Sequence, residues 1–489
     1  MEIEAQLSEN YQSFLQLIPE SLLAGAIVLL IVLGLFFKAR FPKFALGAIV
    51  LLVLHALLIW QRSDTSSSVV FFGSLSITHF SSAFQLMINA GGILALLIAL
   101  TASDIQRKPS EFTALMLSTI FGCHLLVMSN NYLVILLSIE IISLSSYGLV
   151  AFQKTREGSE AALKYFLFGS AATAVMVYGF SFLYGITGGL SYSPANVNLE
   201  EVAHTPLLLI ALVFVLAGLL FKLGGAPLHL WSPDVYEGGP VAVVAFLSIV
   251  PKLAALAAIS KFILSMYATL PLGGDLQFLV AGLAMLSIAV GNFSALHQKN
   301  TRRMMAYSSI AQSGFLLVPL ASFLPQGIHH MIFYAAVFVI MNGLVFLCIA
   351  VFERQKITTL EGYSGIGNLQ PTLAIVMLVA FIALTGLPPT AGFTGKLFIF
   401  STIWDSWALT GKPVMLALFA FGLLNTVVSL FYYLRIPYFS FLKTRQTPLD
   451  QNNIPAVNLL GIFLVVLLLT WFFAPALLMG WINKINFAI

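Results

Sequence analysis

The sequence predicts an all-α protein that crosses a membrane about fourteen times. Three observations carry this. Of 489 residues, 59% are hydrophobic and only 9% charged, whereas a soluble domain carries about 25% charged residues. The apolar residues fall into long continuous runs, each near the ~20 residues that span a bilayer as a helix. The basic residues between the runs alternate between many and few. This composition excludes a soluble globular enzyme, a disordered chain and a nucleic-acid binder. The net charge of +4 is no basic patch, so the position of each charge matters more than the sum.

The runs lie near 17–37, 41–60, 79–101, 111–129, 131–152, 160–187, 206–226, 240–268, 276–296, 304–324, 328–352, 371–403, 413–434 and 455–480. They do not alternate as barrel strands do, and helices alone then satisfy the backbone in lipid. The N-terminus is acidic (Glu2, Glu4, Glu9), unlike the basic start of a cleavable signal. The first run is therefore expected to stay as a helix.

Loop charges set the orientation. With the N-terminus outside, the inner loops carry Lys38, Arg40, Lys43, Arg107, Lys108, Lys154, Arg156, Lys299, Arg302, Arg303, Arg354, Lys356, Arg435, Lys443 and Arg445. The outer segments carry only Arg62, Lys412 and Lys484. Positive charge collects on the cytoplasmic side, so both termini are predicted to face outside.

The remaining charges lie inside spans. They are Glu140 in the fifth run, Lys164 in the sixth, Lys222 in the seventh, Lys252 and Lys261 in the eighth, and Lys396 in the twelfth. Each charge near the bilayer centre costs about 2.5–3.5 kcal/mol on the insertion scale. A protein that only anchors something has no need of them, and the default reading is an ion or proton path. Burial disfavours the charged form of a lysine, and a nearby carboxylate favours it. Moving one partner can therefore switch such a lysine between proton uptake and release. Lys164 is either part of that path or a structural partner of Glu140. Lys261, near the outer end of its run, either belongs to the path or snorkels to the interface. His229, seven residues after Lys222, is a candidate relay. Cys123 and Cys348 lie in apolar runs without metal-ligand spacing, so they read as small buried hydrophobes and no metal site is predicted.

Two runs carry breaking residues. The seventh reads AGLLFKLGGAPLHLW, with Gly224, Gly225 and Pro227 in succession; the twelfth reads ALTGLPPTAGFTGKLF, with Gly386, Pro388, Pro389, Gly392 and Gly395. Proline removes an amide donor and glycine admits unusual dihedrals. Each is either a proline kink or an unwound centre, and the buried lysine beside each favours the second. Pro227 and Pro388 are 161 residues apart, and the fourth and ninth runs start 165 apart. Helices 4–8 (110–268) and 9–13 (276–440) thus read as two five-helix repeats, each with its fourth helix interrupted. The loop charges make the repeats inverted relative to each other. Residues 1–109 add helices 1–3, and 455–489 the C-terminal helix. Paired interrupted helices in inverted repeats point to an ion site near the midplane.

Three segments resemble a known family: FKLGGAPLHLWSPDVYEGGP (221–240), NTRRMMAYSSIAQSGF (300–315) and LTGLPPTAGFTGK (384–396). They look like signatures of the antiporter-like subunits of respiratory complex I, which include subunits L, M and N and the Mrp-type antiporter subunits. The length, the EAALKYF run (160–166) and Lys396, where subunit M has a glutamate, resemble subunit N. About nine residues follow the last run, against the lateral helix of subunit L. The resemblance implies a proton-translocating membrane-arm subunit of NADH:quinone oxidoreductase in a bacterial inner membrane. It implies that Glu140 and Lys164 pair at the input side, that Lys222 is the key lysine beside the first break, that Lys252 is the central connector and that Lys396 stands near the exit. It implies no cofactor in this chain, with NADH, FMN, iron–sulfur clusters and quinone held elsewhere in the complex. Subunits M, K, A and J are the implied neighbours. An Mrp-type Na⁺/H⁺ antiporter subunit and a non-pumping scaffold are the alternatives. One mid-span carboxylate among five lysines is poor chemistry for Na⁺.

Overall fold

The computed structural model describes residues 10–37, 40–63, 67–101, 108–192, 206–269, 273–445 and 455–485. Lys38 and Arg107, two of the predicted inner-loop charges, lie outside the described residues.

Thirteen helices are long and apolar enough to cross a membrane. They are Ile18–Phe36, Phe41–Ser63, His79–Thr101, Pro109–Met128, Tyr132–Val150, Arg156–Thr187, Pro206–Leu223, Val241–Ala268, Gly274–Leu296, Thr301–Ser322, Pro325–Arg354, Pro413–Leu442 and Pro455–Phe473. The remaining predicted span, 371–403, is two helices, Pro371–Thr385 and Ala391–Thr410. Gly386 turns the chain between them at φ +85°, a region open to glycine without a Cβ clash. The seventh span is interrupted in the same way. Pro206–Leu223 ends at Gly224 (φ +68°), and a short helix, Trp231–Gly238, follows a bent segment. Both breaks contain a cis peptide, Ala226–Pro227 and Pro388–Pro389.

Caps fix other boundaries. Asn131 accepts from Val134 N at 2.8 Å, Thr155 from Gly158 N at 3.1 Å and Asn300 from Arg303 N at 3.1 Å. Each satisfies one orphan donor of a first turn. A small hairpin, Ser68–Val70 paired antiparallel with Leu75–Ile77, lies between the second and third spans. Hydrophobic periodicity does not disclose it, because three-residue strands are too short to alternate legibly.

Burial follows the apolar pattern. The 241–269 helix is apolar on most sides and buried throughout its spanning window, and the 301–322 and 325–354 helices are nearly as buried. A helix hydrophobic all round belongs in the interior. The 18–36, 413–442 and 455–473 helices bury few of their residues, with Leu29, Leu35, Leu424 and Phe473 exposed on the outside of the bundle. The packing is parallel in the two halves. Helix 109–128 packs on 132–150 and 241–269, as 273–296 packs on 301–317 and 413–433; helix 156–187 packs on 206–223, as 325–354 packs on 371–385 and 391–410. Gly291 and Gly314 bring the 273–296 and 301–317 backbones together where a Cβ would collide with the facing chain.

Candidate functional site: buried lysines at two broken helices

Lys222 is the penultimate residue of the 206–223 helix, two residues before Gly224 at the break, and is 2% exposed. Among the described residues its ammonium has no hydrogen-bond partner. It sits instead among aromatic faces, 5.1 Å from the Tyr165 ring centroid, 5.4 Å from Phe221 and 5.5 Å from Tyr147. Such faces attract a cation through the ring quadrupole. Trp231 stacks on Tyr165 at 4.3 Å and donates Nε1–H to Phe221 O at 3.0 Å. The short helix beyond the break thereby holds the end of the helix before it. Glu140 is half-buried on the 132–150 helix, about two turns from Tyr147, whose ring faces Lys222.

Lys252 is fully buried on the 241–269 helix, one residue after Pro251. It donates to Ser309 O and to Ser313 Oγ, each at 3.0 Å. Ser313 donates to Leu223 O at 2.8 Å, the residue after Lys222. A Cβ on Gly224 would stand 3.2 Å from Lys252 Nζ, so this lysine packs directly against the first break.

Lys396 is buried on the 391–410 helix. It donates to Thr385 O at 2.8 Å, the last residue before the second break, and lies 4.2 Å from the Phe315 ring centroid. Gln312 donates to Leu384 O at 3.1 Å and to Tyr433 Oη at 3.2 Å, and accepts from Tyr334 Oη. Tyr433 pairs with Ser308. One helix, 301–317, therefore serves both breaks. Ser309 and Ser313 face the first, and Ser308, Gln312 and Phe315 face the second.

Two expectations change. Lys164 does not pair with Glu140. It forms 2.9 Å ion pairs with Glu160 and Asp234 and is 42% exposed. It lies one turn along its helix from Glu160 and faces the short helix 231–238, which carries Asp234. Arg303 joins this group through Asp234 at 3.4 Å and Glu237 at 2.8 Å. Arg302 donates to Gly239 O at 2.6 Å and pairs with Glu353 at 2.8 Å. A cavity of about 230 Å³ opens here, lined by Glu157, Glu160, Lys164, Asp234 and Glu237. Lys261 neither snorkels nor joins the other lysines. It donates to Ser76 Oγ at 2.8 Å and to Val127 O and Ser129 O at 3.3 and 2.6 Å, fastening the end of helix 109–128. His229 follows the break and is half-buried; no bond joins it to Lys222 or Lys252. Cys123 and Cys348 are buried and unpaired.

The sequence reading missed Asp234, Tyr147, Tyr165, Trp231, Ser309, Gln312 and Ser313. The last three had a signal. Polar residues recur at Ser308/Gln312 and Ser309/Ser313, four apart, which puts them on two faces of an apolar span.

A bundle of this kind, with two broken spans and a buried lysine at each, defines a class: the antiporter-like ion-conducting membrane proteins. The comparisons place the chain within it. The model of the family described as NADH:quinone oxidoreductase/Mrp antiporter, transmembrane, matches residues 129–423. NADH-quinone oxidoreductase subunit N 2 of Sorangium cellulosum is 34% identical over 91% of this chain and 92% of its own length. Subunit N of Bacillus anthracis is 35% identical over 88% and 86%. A chain of respiratory complex I from Thermus thermophilus superposes with a TM-score of 0.80 at 30% identity, covering 95% of this chain and 99% of that one. The Mrp complex of Dietzia sp. shares the fold, with a TM-score of 0.82 at 18% identity over 96% of both chains. The chain belongs to the NADH:quinone oxidoreductase/Mrp antiporter family, in its complex I subunit N group.

Proposed function

We propose that this chain is a proton-translocating membrane-arm subunit of NADH:quinone oxidoreductase, coupling quinone reduction elsewhere in the complex to proton transfer between its own lysines. Protons enter from the cytoplasm near Lys222, pass Lys252 and leave outward near Lys396. Glu140 sets the charge state of Lys222 from the neighbouring helix. Water carries the proton between lysines, which do not bond to one another.

The observation that carries this reading is the shared helix 301–317. It holds the carbonyl end of the first broken helix through Ser313 and that of the second through Gln312. A shift of this one element reaches both breaks, both flanking lysines and Lys252 between them. Lys164, Asp234 and Glu160 form a charged vestibule at the cytoplasmic end and collect protons for Lys222. His229 is a relay beside the first break.

In this reading residues 110–268 and 276–440 are the inverted units, 1–109 and 455–489 flank them, and both termini face the periplasm of a bacterial inner membrane. Subunits M, K, A and J are neighbours. Complex I membrane subunits of this kind carry no redox cofactor, so NADH, FMN, iron–sulfur clusters and quinone belong to other subunits.

Purification of the native complex tests the reading. NADH:quinone oxidoreductase activity with proton uptake into proteoliposomes should co-isolate with the chain. Sodium–proton exchange without redox partners would overturn it in favour of an Mrp-type antiporter.

A further inference from the structure

A second buried polar cluster lies away from the lysines, among the first four spans. Glu20 on helix 18–36, His55 and Arg62 on 41–63, Gln85 and Asn89 on 79–101 and His124 on 109–128 all converge there. Glu20 and His55 are each 2% exposed, and His124 is fully buried. Arg62 Nη1 donates to Glu20 Oε2 at 2.8 Å, and Nη2 to Oε1 at 2.9 Å; Gln85 Nε2 also donates to Oε1, at 2.9 Å. Arg62 also donates to the Gln16 carbonyl at 3.0 Å and to Gln85 Oε1 at 2.9 Å.

The imidazoles are left open. The His55 and His124 rings lie 4.8 Å apart between centroids. Among the described residues, neither nitrogen of His124 has a hydrogen-bond partner, nor has Nε2 of His55, nor Oδ1 of Asn89. Buried polar atoms in native proteins are almost always satisfied, and an orphan group points to a missing water or ion. One ligand atom each from Glu20, His55 and His124 lies within 4.8 Å of the other two.

We propose that Glu20, His55 and His124 bind a divalent transition-metal ion of the zinc class. Two imidazoles and one carboxylate are a zinc donor set; magnesium and calcium take mainly oxygen ligands. On an ion bound at about 2.0 Å, tetrahedral ligands stand about 3.3 Å apart, so the three side chains close inward by roughly an ångström. The surroundings suit this. The Asn89 side chain touches His55 Nδ1 at 3.0 Å through its amide nitrogen. Rotating that amide by half a turn, an exchange of N and O alone, lets Oδ1 accept from Nδ1–H. Nε2 is then a free lone pair with the oriented outer partner that metal-bound histidines have. Glu20 Oε2 accepts one hydrogen bond, from Arg62, and keeps a lone pair. On binding, Arg62 loosens at most its bond to Oε2 and retains Glu20 Oε1, the Gln16 carbonyl and the Gln85 amide. Water or hydroxide completes the fourth position. Zinc is redox-inert, so the site fits a subunit without redox chemistry. It would tie the first two spans to helix 109–128.

The purified complex, dialysed against zinc and then against metal-free buffer with magnesium in excess, tests this by zinc content. The wild type should retain one more zinc per complex than His55→Gln or His124→Gln. Equal zinc in wild type and both variants would overturn the site. X-ray absorption at the zinc edge of the wild type needs no variant. Two imidazoles with one carboxylate oxygen support the assignment, and sulfur ligation or no retained zinc overturns it. The result is independent of the proton path, which is read by transport.

Discussion

Ser313 Oγ lies 2.8 Å from the carbonyl of Leu223 and 2.9 Å from that of Ser309, two acceptors sharing its one proton, and the same hydroxyl accepts from Lys252 at 3.0 Å. A single side chain thus joins the end of a broken helix to a buried ammonium. Ser313→Ala leaves Leu223 O without that donor and Lys252 with Ser309 O alone. An unsatisfied buried carbonyl costs about 1–3 kcal/mol. The variant should melt at a lower temperature and pump more slowly, and Ser313→Thr should recover both. A Ser313→Ala complex with wild-type proton-to-electron stoichiometry and melting would refute the linkage.

Lys222→Met separates packing from charge. Methionine is similar in length and apolar, while the ammonium it replaces sits in aromatic surroundings without a hydrogen bond. Burying a charge is costly, so the variant should assemble and melt no lower than the wild type. Its proton transport should fall by about a hundredfold, the usual scale for losing a positioned proton-transfer group. Quinone-driven acidification of proteoliposomes measures this. Normal acidification with verified assembly would remove Lys222 from the path.

Glu140→Gln takes away the charge acting on Lys222 from the adjacent helix. Transport should drop several-fold while the protein stays folded, because Glu140 is only half-buried. Glu140→Asp should retain more transport than Glu140→Gln; equal values for the two would show that charge is not what matters there.

Much of this was legible in the sequence, for reasons that particular residues make plain. The run 79–101 matches the helix His79–Thr101, the run 206–226 starts with its helix at Pro206 but overshoots its end at Leu223, and the breaks follow Gly224, Pro227, Gly386 and Pro388. Lys222, Lys252 and Lys396 stood out because a charge in an apolar run is expensive. Partner choice was not legible. Lys164 is four residues from Glu160, a spacing that predicts an i,i+4 pair, yet its second partner, Asp234, is seventy residues away across a break whose geometry the sequence does not state. The Glu20–Arg62 pair was hidden because both residues sit near span ends, where charges ordinarily meet water. His55 and His124 were hidden because single histidines in separate apolar runs carry no spacing.

Asp234→Asn should loosen the charged cluster around Lys164 without unfolding it. Asp234 binds Lys164 at 2.9 Å and Arg303 at 3.4 Å, and all three are partly exposed. Exposed ion pairs add little stability and are screened by salt. The melting temperature should barely move. Pumping should slow most at low ionic strength and converge with the wild type as salt is raised. Loss of assembly, or a deficit independent of salt, would mean that Asp234 is structural.

Gly386→Ala tests whether the second break matters for transport or only for folding. Gly386 has φ +85°, and a Cβ there would come within 2.6 Å of Lys396 Cδ. Gly411 is the matched control: its φ is +65°, and a Cβ would meet nothing within 4 Å. A non-glycine residue in the left-handed region costs about 1–2 kcal/mol, so both alanine variants should lose similar stability from the backbone. Only Gly386→Ala also pushes on Lys396, whose ammonium is fixed to Thr385 O one residue away. Proton transport should therefore fall in Gly386→Ala and persist in Gly411→Ala. Equal transport in the two, at equal assembly, would reduce the break to a folding device and leave Lys396 without the geometric control argued for it.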